Sequence, residues 1–254
     1  MLPNDLKFCA ADVLVNSDNF ETGIFIDPKT GTAFDGWRDH SGLDNHLIVR
    51  SGKVAHETRE GVEGVLLDGT VLLSMRQYLT MGAGTLALSF SDGYKANTSR
   101  SLVTIETFDT TTTRTGNPAW ALLRNVGGGS NRTFWGASGQ TVTVNLAGSS
   151  AGDATVQRVA YGVDIKTGRA SIYGKREGQA AVSGAKNANA HVLPRGADLV
   201  FGRLDQTVDD ASRTVLPGNE KMWLSHVQMW GNFQEGNLIS DYPAELEALF
   251  GGMK

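Results

Sequence analysis

Two pairs of acids stand close enough in the chain to raise acid–base chemistry: Glu106 with Asp109, and Glu57 with Glu60. Glycoside hydrolysis needs two carboxylates aimed into one cleft. A spacing of three on a strand of period two puts the members of each pair on opposite faces. No third acid follows Glu106-Thr-Phe-Asp109 to restore the match. The spacing therefore argues against a hydrolase, and no catalytic residue is assigned.

Metal and nucleophile chemistry fare no better. The histidines are His40, His46, His56, His191 and His226, and only the first two are near one another. A metal site needs convergent ligands with a supporting shell, so His40 and His46 read as polar loop residues holding turns. His226 falls mid-strand, on the same face as Trp230. Asp205, Asp209 and Asp210 offer hard oxygen ligands of the kind Ca²⁺ takes, against the alternative of a solvated acidic loop. Scattered Ser, His and Asp residues make no nucleophile elbow. Gly127-Gly-Gly-Ser lacks the Lys-Ser/Thr of a phosphate loop.

Sugar recognition has the better residues. Trp120, Trp135 and Tyr161 lie on middle strands, with Asn131 and Arg132 at an adjacent turn. Aromatic faces stack on the apolar faces of sugars, and amide and guanidinium groups hydrogen-bond the hydroxyls. The competing reading is that these aromatics fill the core.

The elements that must position these residues are almost all strands. Glycine is abundant at 31 residues and proline scarce at 6, which suits many tight turns. Apolar residues alternate at 86, 88 and 90, and again at Val159, Tyr161, Val163 and Ile165 before the Lys166-Thr-Gly168 turn. Further strands are read at 101–108, 119–124, 133–135, 141–146 and 197–202. Near the front, Ile24-Phe-Ile26 and Thr32-Ala-Phe34 flank Asp27-Pro-Lys-Thr-Gly31, a hairpin turn. Residues 109–116 and 177–191 read as loops, as does 205–213. In Lys221–Gly231, simple alternation puts Trp223, Val227 and Met229 on one face and Leu224, His226, Gln228 and Trp230 on the other. After it, Pro243 in a first turn and the Leu246, Leu249, Phe250 stripe predict a short helix ended by Gly251-Gly252.

The totals exclude several classes. Net charge is −4 with no Lys/Arg block, so nucleic acid is not an expected partner. Cys9 is the sole cysteine, which rules out an intrachain disulfide and a cysteine-based metal site. No run is long and apolar enough to span a membrane. The opening Met-Leu-Pro-Asn-Asp-Leu-Lys leads into no apolar segment of a signal peptide, so folding in a reducing cytosol is expected.

Three segments, in order, carry a family resemblance. Gly36-Trp-Arg-Asp-His-Ser-Gly-Leu-Asp-Asn-His leads into an apolar strand. Gly61-Val-Glu-Gly-Val-Leu-Leu-Asp-Gly69 precedes Val71-Leu-Leu73. The block from Lys221 closes the chain. Together these resemble the laminin G-like members of the concanavalin A-like jelly-roll superfamily. Asp164, ending a strand before a turn that returns through Ile172-Tyr173, matches that family's central hairpin. The resemblance spans about residues 36–250. It implies an all-β, two-sheet antiparallel jelly-roll sandwich with a short C-terminal helix. Residues 1–33 are then an N-terminal hairpin arm and candidate anchor, and 34–254 the jelly-roll domain.

Family members without an export signal resemble bacteriophage virion proteins. The expectation is a non-enzymatic structural or adhesive protein on a virion surface, in capsid decoration or tail, assembled in the host cytoplasm. Glycan binding through Trp120, Asn131, Arg132, Trp135 and Tyr161 is the expected chemistry. Partners would be other virion proteins, such as the major capsid protein, a cell-surface glycan and further copies of itself. Some relatives hold Ca²⁺ at the sandwich rim, which is the role open to Asp205, Asp209 and Asp210; no other cofactor is expected. The alternative is a free lectin, or a glycoside hydrolase of the concanavalin A-like group.

Overall fold

The computed structural model of the chain describes residues 8–68, 70–75, 83–93, 100–108, 114–115, 120–124, 131–136, 141–145, 156–164, 169–176, 179–187, 198–201 and 221–231. Every regular element among them is a strand. In chain order they are β1 (Phe8–Leu14), β2 (Phe20–Ile26), β3 (Ala33–Trp37), β4 (Leu47–Ser51), β5 (His56–Arg59), β6 (Val62–Leu67), β7 (Leu72–Met75), β8 (Ala83–Gly93) and β9 (Arg100–Phe108). They continue as β10 (Arg114–Thr115), β11 (Trp120–Arg124), β12 (Asn131–Gly136), β13 (Thr141–Asn145), β14 (Gln157–Asp164), β15 (Arg169–Arg176), β16 (Val182–Asn187), β17 (Asp198–Phe201) and β18 (Lys221–Gly231).

The strands form two antiparallel sheets. The eight-stranded sheet runs β16-β15-β14-β8-β18-β6-β5, with β1 also on β18. The ten-stranded sheet runs β13-β12-β11-β9-β17-β7-β4-β3-β2, with β10 on β9. Ala11, Val13, Leu67, Val159, Tyr161, Leu224 and Met229 of the first sheet share one apolar cluster with Trp37, Leu47, Leu73, Leu199 and Phe201 of the second. Burying one face of each sheet against the other is what makes a sandwich stable. The expected all-β jelly-roll sandwich is the observed fold.

β18 is the spine. Its eleven residues pair with β8 along one edge for the whole length. The other edge is shared: β6 takes Met222–Leu224 and β1 takes His226–Gly231. A β-bulge falls between Leu224 and His226, where the partner changes, and the Ser225 carbonyl accepts the Val15 N–H at 2.7 Å. One extra residue resets the alternation. The core face of β18 is therefore Met222, Leu224, Val227 and Met229. Trp223, His226, Gln228 and Trp230 lie on the other face. This corrects the simple alternation, which had exchanged Trp223 and Leu224.

Three further differences arise from pairing that composition does not announce. Residues 177–191, read as a loop, contain β16, whose Ala/Gly/Ser-rich backbone pairs with β15 at the sheet edge. Arg114–Thr115, also read as loop, pairs with β9. Residues 8–15 do not stand apart as an arm: β1 is paired to β18, and Ala11, Val13 and Val15 are fully buried. No structural boundary falls at residue 33, because β2 and β3 are adjacent strands of the ten-stranded sheet. The turn between them is as expected, with Gly31 N–H donating to the Asp27 carbonyl at 2.8 Å. The expected C-terminal helix lies outside the described residues.

Candidate functional site

The face of β18 turned away from the core begins a polar tract across the eight-stranded sheet. Side chains directly opposite on antiparallel neighbours share a face, so the register reads out rows. The first is Leu14, His226, Ser89, Arg158, Lys175. The second is Asp12, Gln228, Ala87, Ala160, Tyr173. The third is Trp230, Thr85, Gly162, Ser171. Small residue types at 85, 87, 89, 160 and 162 occupy the middle, between the larger residues of β18 and those of β15. Adjacent strands are about 4.8 Å apart, so β18 and β15 stand about 14 Å from one another, wide enough for a sugar ring.

The floor of this tract is buried and its rim is half open. His226 is 2% exposed and Gln228 7%, and Tyr173 and Ser171 are also buried. Asp12, Arg158, Lys175 and Trp230 are half-buried. Asp12 organises the near side. Its Oδ1 lies 2.6 Å from His226 Nε2 and accepts from Gln228 Nε2 at 3.2 Å. The hydrogen bond from His226 holds the Asp12 carboxyl below its ordinary pKa, outweighing partial burial, which acts the other way. Asp12 is therefore ionised and His226 Nε2 is the donor. The backbone of Asp12 is pinned as well: its N–H donates to Asp39 Oδ1 and its carbonyl accepts from His40 N–H, each at 2.8 Å.

Among the described residues, four buried polar atoms on this face have no hydrogen-bond partner: Arg158 Nε, His226 Nδ1, Gln228 Oε1 and Trp230 Nε1. A buried polar group left unpaired costs about 1–3 kcal/mol, and folded proteins rarely leave several together. Arg158 and Trp230 offer donors. Gln228 offers an acceptor, and so does Nδ1 of a neutral His226 ring. A ligand bearing hydroxyls supplies both kinds of partner at once.

Among the described side chains of this face, Asp12 stands beside His226 and Glu57 beside Arg59 at 3.0 Å. Among the described residues there is no cluster of three or more His, Cys, Asp or Glu suited to a metal ion.

The residues singled out in the sequence are dispersed. Tyr161 is fully buried within the core, on the opposite face of β14 from Arg158. Trp120, Asn131, Arg132 and Trp135 are on β11 and β12 of the other sheet. There Trp120 is paired in the register with Gly136, and Arg132 with Arg124 and Val144. Asn131 is paired with Asn145, and Trp135 with Ala121 and Thr141. Asp205, Asp209 and Asp210 lie outside the described residues. The register also sets Glu106 directly opposite Asp198, two acids far apart in sequence.

The loop histidines do hold turns. His46 Nδ1 accepts the Asp39 N–H at 3.0 Å, and Asp39 accepts from Ser41 and Asn45. A separate recess of 430 Å³ lies along β2, lined by Ile24, Phe25, Ile26, Leu43 and His46 among others. Its lining is about as polar as it is apolar, and the Nδ1 of its histidine is already engaged by the Asp39 N–H. Sequence reasoning flagged His226 and Trp230 but missed Asp12, Arg158 and Gln228. Their common signal, parity on neighbouring strands, becomes readable only once the pairing and the bulge are known.

No protein-family model and no curated protein matches the sequence. Solved structures do. The binding domain of botulinum neurotoxin serotype C1 superposes with a TM-score of 0.61 at 11% identity, over 99% of this chain and 53% of that one. The fold is a jelly-roll sandwich. Domain 4 of AbnA, a GH43 extracellular arabinanase from Geobacillus stearothermophilus solved in complex with arabinotriose, gives 0.51 at 11% identity, over 88% and 92%. A further botulinum neurotoxin type C structure, from work on cell entry dependent upon two ganglioside molecules, gives 0.53 at 11% identity over 93% and 52%. The chain thus spans about half the length of the neurotoxin structures it resembles and nearly all of the arabinanase domain.

Proposed function

We propose that this protein is a non-catalytic glycan-binding module and that the outward face of the eight-stranded sheet holds the sugar. The observation that carries the proposal is the set of buried atoms without protein partners at Arg158, His226, Gln228 and Trp230. The similar folds that bind arabinotriose or act through gangliosides lend support. Trp230, half-buried at the rim, is the stacking aromatic. Asn131 and Trp135, both on β12 of the other sheet, form a second candidate place.

A glycan array with the wild type and with Gln228→Ala and Trp135→Ala tests this. Loss of binding in Gln228→Ala with circular dichroism unchanged supports the first place, and loss in Trp135→Ala the second. No binding by the wild type to any glycan overturns the proposal.

The setting we propose is a virion surface, resting on the sequence resemblance. Mass spectrometry of purified phage particles checks it, and absence of the protein from the particles rejects it. A hydrolase is the second reading, favoured by the placement of Glu106 opposite Asp198. Turnover of a β-glucan by the wild type, lost in Glu106→Gln, would establish it.

A further inference from the structure

We infer that the recess along β2 is a separate ligand site, for a neutral sugar unit that carries a methyl group, such as a 6-deoxyhexose or an N-acetylhexosamine. It lies on the other sheet and does not rest on the sugar face proposed above. β2 ends the path of the ten-stranded sheet. Its consecutive residues 24–26 all line the recess. Neighbours on a strand point to opposite faces, so the recess wraps around the sheet edge. Its 430 Å³ is within the range of small-molecule sites, about 300–1,000 Å³. Ile26 is 62% exposed and Leu43 47%, the two exposed large apolar side chains among the described residues, and both are in its wall. Buried Ile48 adds to the apolar lining. Apolar groups gathered at one open concavity gain by being covered with apolar surface.

The polar end is set by His46. Its Nδ1 accepts the Asp39 N–H at 3.0 Å, so the neutral ring carries its proton on Nε2. That nitrogen is 3.8 Å from Asp44 Oδ1, too far for a direct hydrogen bond. A hydroxyl oxygen about 2.8 Å from each closes the gap, accepting from Nε2 and donating to the carboxylate. A ligand carboxylate or phosphate would be repelled by Asp44. An ammonium has no lone pair for the Nε2 proton. A plain hexose, with hydroxyls around most of its ring, would press unpaired polar groups on Ile26, Leu43 and Ile48. A methyl group beside the bridging hydroxyl gives those side chains an apolar partner.

The test follows amide chemical shifts of the full chain by NMR during sugar titrations. L-Fucose is compared with L-galactose, and N-acetylglucosamine with glucose, so the two arms tell a 6-deoxy methyl from an acetamido methyl. At least one methyl-bearing sugar should shift the amides of residues 24–26 and 43–46. It should bind about fourfold more tightly than its partner, the effect of burying one methyl group. Leu43→Ser and Ile26→Ser, both at exposed positions, should bring that ratio toward one. Asp44 has a φ of 57°, which glycine adopts freely. Asp44→Gly should therefore fold and weaken both members about threefold to tenfold by loss of the hydrogen bond. Thermal unfolding checks that each variant folds. No binding, equal binding within both pairs, or an unchanged ratio in Leu43→Ser overturns the inference. So do shifts at these amides that grow with protein concentration in the absence of sugar, which would assign Ile26 and Leu43 to contact with a second copy. Shifts confined to residues 226–230 overturn it too, while leaving the glycan-binding reading of the eight-stranded sheet standing.

Discussion

His226 Nε2 lies 2.6 Å from Asp12 Oδ1 and joins two strands whose residues are 214 positions apart in the chain. The contact fastens β1 to β18 on the face away from the core, while Val13 and Val227 join them on the other. The same carboxylate aims Gln228, so it serves both the strand pairing and the proposed sugar face.

Asp12→Asn should destabilise the fold by about 1.5–3 kcal/mol, the range for hydrogen bonds to charged groups, as measured by urea unfolding at pH 7. The difference from wild type should depend on pH. The pKa of Asp12 is lowered in the folded state, so its stabilisation is present above the ordinary carboxylate value of about 3.9. It is lost as pH falls through the lower folded value. The two proteins should converge in stability as the medium is acidified; a constant gap down to strongly acid pH would contradict the assignment.

Cys9 offers an independent probe of the same corner. Burial, with the charges of Asp12 and Asp39 adding to it, raises its pKa to about 11. The thiolate is the reactive form. Alkylation by iodoacetamide at pH 8 should be about a hundredfold slower than for a free cysteine with a pKa of about 8.5. Asp12→Asn removes one of the raising charges and should speed it. Reaction at the free-cysteine rate in the native wild type would contradict this picture.

Asp39, buried at 5% exposure, knots the loop before β4. Oδ1 accepts Asp12 N–H and Ser41 N–H, both at 2.8 Å, and Oδ2 accepts Asn45 N–H at 3.0 Å and the Ser41 hydroxyl at 2.6 Å. Asn in its place has one oxygen where there were two. Asp39→Asn should cost about 1–3 kcal/mol for each donor left unpaired. Hydrogen exchange should rise at the amides of Ser41 and Asn45, and unchanged protection there would refute the knot.

The bulge in β18 makes a prediction of its own. Leu224 faces the core, so Leu224→Ala should cost about 2–5 kcal/mol. Trp223 lies over Gly64, where an added Cβ would come 2.5 Å from Trp223 Cε2 and 2.7 Å from the Leu224 carbonyl oxygen. Gly64→Ala should cost about 1–3 kcal/mol by overpacking and shift tryptophan emission. A neutral Gly64→Ala would mean that Trp223 lies elsewhere.

Short-range chemistry was legible in the amino-acid sequence. The alternation at 86, 88 and 90, the Asp27–Gly31 turn and the Asp39 loop all depend on residues within a few positions of one another. That is why the all-β sandwich could be read without coordinates. Long-range pairing alone settled the rest. An extra residue at Ser225 reversed the faces of Trp223 and Leu224, and no period-two count contains that residue. Val182–Asn187 became a strand because β15 presented a row of backbone groups to it, not because its side chains favour one. Asp12, Arg158 and His226 were brought to one face by registers between strands far apart in the chain. A sheet takes its local shape from alternating residue types. Which side chains become neighbours is decided by strand partners and bulges, and those exist only in the folded molecule.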